Sequence, residues 1–450
     1  MPKALLIAGV SSGCGKTAIA LGLMKAFARK GLFVQGFKSG PDFIDPGLHR
    51  LATNMPSHNL DGWMLDQQEV LRIFQRHHEG CDLSIIEGSM GLFDGIGAQS
   101  EEGSTAQLAK ILGLPVTLVV NARGMARSAA ALVQGYARFD PDLNVEAVFF
   151  NMTGSVSHGI LLTQALHGQG IQVRGSLPRL SSLQIPSRHL GLITAEDLDH
   201  REERLTALAD WVEESIDLDA LYAALPEYNF PTISDRGVRI PEIRIAYARD
   251  RAFCFYYEEN LRRLRQAGAE LIPFSPLEDT NLPPAIQGLY LGGGYPELYA
   301  EELAANETMR TKIRALCQSG KPVYAECGGF MYLMRSLTTS SGQEYPMVGA
   351  FDLTCSMEPR QQALGYRAVR WTEPSVLGES GTQARGHEFH YSRMHGADSQ
   401  ASQVYEVTDR NGRTSSSGGW RKGNCLGSYI HLHFGSNPDL ATNFVSACTA

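Results

Sequence analysis

Val323-Tyr-Ala-Glu-Cys-Gly-Gly-Phe-Met-Tyr-Leu333 reads as an apolar strand that ends on a cysteine, turns on two glycines and enters an apolar helix. A strand–nucleophile–helix elbow of this kind exposes its side chain, the glycines permit the cramped turn, and the helix N-terminus favours the thiolate. The competing reading of Cys327 is a buried structural cysteine. Far upstream, Gly9-Val-Ser-Ser-Gly-Cys-Gly-Lys-Thr17 lies between the apolar Ala4–Ala8 and the helix-like Ala18–Phe27. That is the strand–loop–helix setting of a phosphate cradle, formed here by Ser12, Gly13, Cys14, Gly15, Lys16 and Thr17. Backbone N–H groups approach phosphate oxygens there, Lys16 bridges the β- and γ-phosphates, and Thr17 holds Mg²⁺. Val10 stands where the strict spacing has its first glycine. A thiol nucleophile and an ATP site in separate halves suggest ammonia released at one and used at an activated carboxylate at the other.

Working outward, residues 1–210 alternate short apolar runs (4–9, 33–37, 83–87, 115–120, 145–150) with helix-like segments such as Thr17–Arg29, Gln67–Phe74, Thr105–Leu112 and Met125–Phe139. Buried strands separated by amphipathic helices predict an α/β fold, a doubly wound and mainly parallel sheet with ligands beyond the carboxyl ends of its strands. The acidic residues and the prolines Pro226, Pro231 and Pro241 over 213–241 read as a linker. A second α/β pattern begins at Ile243, with strands at Gly288–Leu291 and Pro322–Ala325 and one helix-like segment over Pro296–Cys317. The expected domains are therefore 1–212, 213–241 and 242–450.

In the first half, Glu87 ends the apolar Ile85-Ile86 run, where a carboxylate on a second strand can reach Mg²⁺ directly or through water. Asp94 is another carboxylate of the same glycine-rich loop. Gly36-Phe-Lys-Ser-Gly-Pro-Asp-Phe-Ile-Asp-Pro46 sets Lys38, Asp42 and Asp45 just after a strand, in what reads as a turn. Lys38 suits neutralisation of a transferring phosphoryl group, and Asp45 suits a metal or the orientation of a substrate carboxylate.

In the second half a base is needed for Cys327. Ser428-Tyr-Ile-His-Leu-His-Phe434 presents His431 and His433 at strand spacing, hence on one side. His431 is favoured because it follows the apolar Tyr429-Ile430 directly, with His433 as its competitor. Gly292-Gly-Gly-Tyr-Pro296 offers backbone donors for an oxyanion at Gly293 and Gly294, joined by Gly328. His387 and His390 read as members of a half-buried strand packed near the site.

Bulk properties narrow the class. A chain of 450 residues exceeds one ordinary core. A net charge of −8 gives no support for nucleic-acid binding. Eight scattered cysteines without a CxxC pair argue against zinc and against a disulfide framework. No apolar run approaches the roughly 18 residues of a membrane span, and the phosphate-loop strand begins almost at the N-terminus, so a cytoplasmic protein is expected.

As an ordered set these motifs, with Leu60-Asp-Gly-Trp-Met64, Ala122-Arg-Gly-Met-Ala-Arg-Ser128, Arg188-His-Leu-Gly-Leu192 and Gly386-His-Glu-Phe-His-Tyr-Ser392, resemble the cobyrinic acid a,c-diamide synthase family over nearly the whole chain. The resemblance implies an N-terminal domain similar to dethiobiotin synthetase and a C-terminal class I glutamine amidotransferase domain. It implies ATP- and glutamine-dependent amidation of two acetate side chains of cobyrinic acid, with Mg²⁺, in cobalamin biosynthesis. The same motifs leave open another tetrapyrrole (Ni-sirohydrochlorin or hydrogenobyrinic acid), and a nucleotide-dependent switch with an inert glutaminase domain. Asp45, Glu87 and Asp94 match family positions at the synthetase site. The third acidic member of the usual triad is not at its expected place, which His433 occupies two residues after His431. Arg123, Arg188 and His189 are candidates for substrate carboxylates by loop placement, and a homodimer is one expected assembly.

Overall fold

Lys3–Gly9 (β1) is buried from Ala4 onward, as a central parallel strand covered on both faces must be. Around it lie Val34–Ser39 (β2), His58–Leu60 (β3), Leu83–Glu87 (β4), Val116–Asn121 (β5), Val145–Thr153 (β6) and Gln172–Pro178 (β7). The sheet runs β3-β2-β4-β1-β5-β6-β7 with every pairing parallel. This computed structural model describes residues 1–179, 194–228, 242–415 and 418–449, in two units, Met1–Ser234 and Asp235–Ala450. Apolar runs do not reveal β3 or β7, because both close the edges of the sheet, where a short strand needs little apolar surface.

Helix Lys16–Arg29 (α1) starts on Gly15, whose φ of +99° is costly for any other residue. The helix Thr105–Leu112 has the expected limits. Two local expectations are corrected. Asp45 sits in the first turn of the helix Ile44–Thr53 (α2) rather than in a turn; Pro46 fits there because first-turn N–H groups have no intrahelical partner. The stretch expected as a linker begins as helix: Arg201–Ser215 runs into it, and Leu218–Ala224 follows with Leu218 and Leu221 buried. Asp217 caps that second helix by accepting from the Ala220 N–H at 2.9 Å, so its charge marks a helix start rather than a flexible segment. Residues 229–241, with Pro231 and Pro241, lie outside the described residues, as do Arg188 and His189.

The second unit has its own seven-stranded sheet, whose parallel part is Ile243–Ala248 (β8), Ala269–Phe274 (β9), Gly288–Leu291 (β10), Val323–Glu326 (β11) and the strand Cys425–Ser428, with Gly419–Lys422 and Ser402–Gln403 added antiparallel at one edge. The order of the parallel strands is Cys425–Ser428, β11, β10, β8, β9. A separate antiparallel sheet joins Tyr405–Asp409, Ala363–Trp371, Gln383–His390 and Ile430–Leu432. The segment Pro296–Cys317 is not one helix: a 3₁₀ turn at Pro296–Tyr299 leads into Ala300–Ala305 and then Glu307–Gln318. Asn306 makes the break, because its side chain accepts from the Met309 N–H and caps the next helix instead of continuing the last. Among the described residues no helix is long and apolar enough to cross a membrane.

Candidate active sites

Strand register assembles the first cluster. Lys38 of β2 and Ile7 of β1 both stand opposite Glu87 of β4, so three neighbouring strands end beside the loop that follows Gly9. Lys38 Nζ lies 2.5 Å from Asp45 Oδ2 and 3.1 Å from Glu87 Oε1. The Thr17 hydroxyl donates to that same Glu87 oxygen at 2.6 Å. His49 Nε2 lies 2.8 Å from the other Glu87 oxygen, and its Nδ1 lies 2.9 Å from the Ser57 hydroxyl. Sequence reading missed His49. Its signal is helical: Asp45 and His49 are one turn apart on α2 and share a face.

Lys38 and Glu87 are thus closed away from water, with Asp45 half-buried beside them. Burial opposes ionisation of Glu87, but Lys38 and then His49 outweigh it and hold that carboxyl well below the usual range. Burial, then the Asp42 and Glu87 carboxylates, push Asp45 well above it. Burial also opposes the Lys38 charge, yet Asp45 and Glu87 prevail and raise its pKa. Asp45 is therefore the carboxyl that most readily keeps a proton. The Thr17 hydroxyl and the two carboxylates form an all-oxygen donor set, the chemistry that suits a hard divalent cation such as Mg²⁺.

The phosphate loop is folded on itself. Lys16 Nζ donates to the carbonyls of Ser11 (3.2 Å) and Met90 (2.5 Å), and burial, then the Lys38 charge, lower its pKa. Ser12 and Gly13 are exposed, and Cys14 is buried. A β-carbon at residue 15 would lie 2.0 Å from Asn151 Nδ2, which donates to the Cys14 carbonyl at 2.9 Å. Asn151 thus braces the loop from the end of β6, a role that its place in an apolar run conceals. Asp94 stands apart from the Lys38 cluster in its bonding: Oδ2 accepts from the Gly91 N–H at 2.8 Å and shapes the loop after Glu87. Arg123 is exposed, and its N–H donates to Asn121 Oδ1 at 3.1 Å.

In the second unit Cys327 has φ +46°, a left-handed backbone that an L-residue adopts only under constraint. The elbow read from sequence is present. Its N–H donates to the Ser428 carbonyl at 2.7 Å, and its thiol lies 3.9 Å from the Phe389 carbonyl. The expected thiolate is corrected. Burial, then Glu297, push the Cys327 thiol well above its ordinary range, with the Gly328 N–H pulling the other way. The helix that follows, Gly328–Leu333, is too short to reverse this. Burial therefore favours the thiol form of Cys327, from which a nucleophile would form only with a base at hand.

His431 stands opposite His387 on the neighbouring strand and packs onto the glycine loop: a β-carbon at residue 293 would lie 2.3 Å from its Cε1. The Cys327–Gly328 turn touches the same loop, since a β-carbon at residue 328 would lie 3.0 Å from the Gly294 nitrogen. Burial, then His387 and His390, push His431 down to about 3, leaving a neutral imidazole able to accept a proton. His433 lies beyond the strand end. Its Nδ1 accepts from the Gly435 N–H at 3.0 Å, and its ring centre is 4.7 Å from that of Tyr257. The two histidines therefore do not share one environment, and geometry favours His431. The Gly293 N–H, expected as an oxyanion donor, donates here to the Phe255 carbonyl at 3.2 Å.

Gly293→Ala is expected to drive the His431 ring from its seat and slow glutamine hydrolysis about 100-fold, read as glutamate release. Turnover within twofold of wild type would separate His431 from that chemistry.

Comparison with known proteins finds one family match in each half of the chain. Residues 5–193 match the CobQ/CobB/MinD/ParA nucleotide binding domain, and residues 244–439 match the CobB/CobQ-like glutamine amidotransferase domain. The chain is 43% identical over 448 residues to the cobyrinate a,c-diamide synthase of Leptospira interrogans serogroup Icterohaemorrhagiae serovar copenhageni (strain Fiocruz L1-130), covering 99% of this chain and 98% of that protein. It is 42% identical over 448 residues to the protein of that name from Listeria monocytogenes serotype 4b (strain F2365), covering 98% of this chain and 99% of that protein. The protein of that name from Syntrophotalea carbinolica (strain DSM 2380 / NBRC 103641 / GraBd1) is 43% identical over 453 residues, covering 99% and 98%.

Proposed function

The chain belongs to the cobyrinate a,c-diamide synthase family, and from that membership we propose that it is a glutamine-hydrolysing ligase that converts the a- and c-acetate carboxylates of cobyrinic acid to amides with ATP. The observation that carries the reading is full-length identity to proteins of that name in a chain that also holds both reactive clusters. The relatives' names favour cobyrinic acid over another tetrapyrrole, and the Cys327 elbow beside the His431 loop favours a working glutaminase over an inert one.

In the proposed mechanism His431 takes the Cys327 thiol proton as sulfur attacks the glutamine side-chain amide, then gives that proton to departing ammonia. The Gly294 and Gly328 N–H groups are assigned to the oxyanion. Water releases glutamate from the thioester. At the other site a substrate carboxylate attacks the γ-phosphate of ATP with departure of ADP, and ammonia then displaces phosphate from the acyl phosphate to leave the amide. Lys16 and Lys38 carry the charges that stabilise the transferring group. Thr17, Glu87 and Asp45 would hold Mg²⁺, which when bound neutralises charge on the phosphate oxygens. Lys38 would then turn from the two carboxylates toward phosphate. Eight free cysteines support a reducing, cytoplasmic setting.

Cobyrinic acid incubated with enzyme, Mg·ATP and amide-¹⁵N glutamine is expected to gain a labelled amide at both acetates, read by mass spectrometry. Unchanged cobyrinic acid beside active glutamine hydrolysis would overturn the substrate.

A further inference from the structure

Glu326, the residue before the nucleophile, has no part in the mechanism above, yet its carboxylate is buried beside the base. Oε2 lies 3.9 Å from His431 Nδ1 and accepts from the Tyr290 hydroxyl at 2.8 Å. Oε1 accepts from the Tyr324 hydroxyl at 2.5 Å and from the Leu432 N–H at 2.9 Å. That last bond fixes the main chain one residue beyond His431. Glu326 is thus bonded to the strand that carries the base and stands beside the Nδ1 of its ring.

We propose that Glu326 is the positioning residue of the glutaminase, supplying from the strand before Cys327 the carboxylate that orients His431. This rests on the reading of Cys327 and His431 given above. The gap of 3.9 Å exceeds a hydrogen bond in the free protein, and such contacts tighten when substrate closes the site. The chemistry asks for an acid here. As His431 takes the thiol proton it becomes an imidazolium, and a carboxylate at Nδ1 stabilises that cation and selects the tautomer with Nε2 free to accept. Position 433, two residues past the base, holds a histidine set against Tyr257 and cannot do this. The groups facing the Glu326 carboxyl are Tyr256, Tyr290, Tyr324, Tyr405, His431 and Cys327, none of them a permanent cation. Burial accordingly pushes Glu326 up to about 7, against the pull of its tyrosine donors.

The test compares glutamine hydrolysis by the full-length enzyme and its variants across pH. In Glu326→Gln, size and the bond from the Leu432 N–H are kept and the charge is lost. Turnover is expected to fall on the order of 100-fold with the KM for glutamine within about threefold, and Glu326→Asp to recover part of it. Amidation from free ammonia stays at the wild-type rate, and an unchanged circular dichroism spectrum and unfolding temperature show that the second unit, which holds Glu326, is folded. The groups acting on His431 itself are His387, His390 and Glu388, all kept in the variant, so the acidic limb of the kcat/KM profile moves to lower pH because a carboxylate that must ionise has gone. Tyr290→Phe keeps the carboxylate but removes a donor to its ionised form, so the same limb moves to higher pH. Should Glu326→Gln fail to fold, the Tyr290→Phe profile decides alone. Turnover within twofold in Glu326→Gln, or an unmoved limb in Tyr290→Phe, overturns the proposal. Loss of the underlying reading looks different: Cys327→Ala or His431→Ala would then retain glutamine hydrolysis.

Discussion

Cys327→Ala is expected to lower glutamine-supported amidation and glutamine hydrolysis together, by on the order of 10⁴-fold or more, since no other group can take over as the nucleophile. Amidation supplied with free ammonia should proceed at the wild-type rate, because Lys16, Thr17, Lys38 and Glu87 belong to a separate unit. The two activities are measured as glutamate release and as amide formation under saturating ammonium. Residual hydrolysis above a hundredth of wild type would remove Cys327 from the mechanism. The pH dependence follows from the two buried groups. Burial raises the Cys327 thiol and lowers His431 to about 3, so both groups favour their neutral forms near neutral pH.

Lys38→Met should have the opposite signature. Amidation is expected to fall on the order of 10³-fold with either nitrogen source, while glutamine hydrolysis continues. Amidation within tenfold of wild type would show that Lys38 does not meet the transferring phosphoryl group. The substitution also leaves Asp45 and Glu87 facing each other in a buried site, at a cost of about 3–5 kcal/mol in stability. That loss has a direction with pH. With Lys38 in place, the lowered Glu87 contributes stability above the ordinary carboxylate range, and this is lost as pH falls through its folded pKa. Without Lys38 both carboxyls are raised, so they destabilise most near neutrality and least below about pH 4, where the unfolded chain is protonated too. Thermal unfolding of the variant should therefore approach wild type as pH is lowered from 7 toward 5. A constant gap would mean that the carboxylates do not sense the lysine.

How far sequence carried the site depends on how local the encoding is. The cradle Gly9–Thr17 and the elbow at Cys327 are contiguous: an apolar strand, glycines and a helix start specify each within about ten residues. Lys38 and Glu87 were legible as strand-end charges, but nothing in their own segments says that they are register partners. His49 and Asn151 were not legible. A lone histidine on a helix and an asparagine ending an apolar run are ordinary residues until Glu87 and Cys14 are brought against them.

Sequence by itself determined the two α/β halves, the phosphate cradle, the nucleophile elbow and the family, because short-range periodicity, glycine placement and ordered motifs survive without coordinates. Tertiary structure decided the separate surroundings of His431 and His433, two residues apart in sequence. It also decided which of two carboxyls keeps a proton, which glycine N–H groups are already committed, and that Glu326 stands at the base. Each of these depends on burial and on partners distant in sequence. Desolvation raises the Cys327 thiol where a helix N-terminus alone would lower it, and strand pairing sets the neighbours of Glu87 and His431.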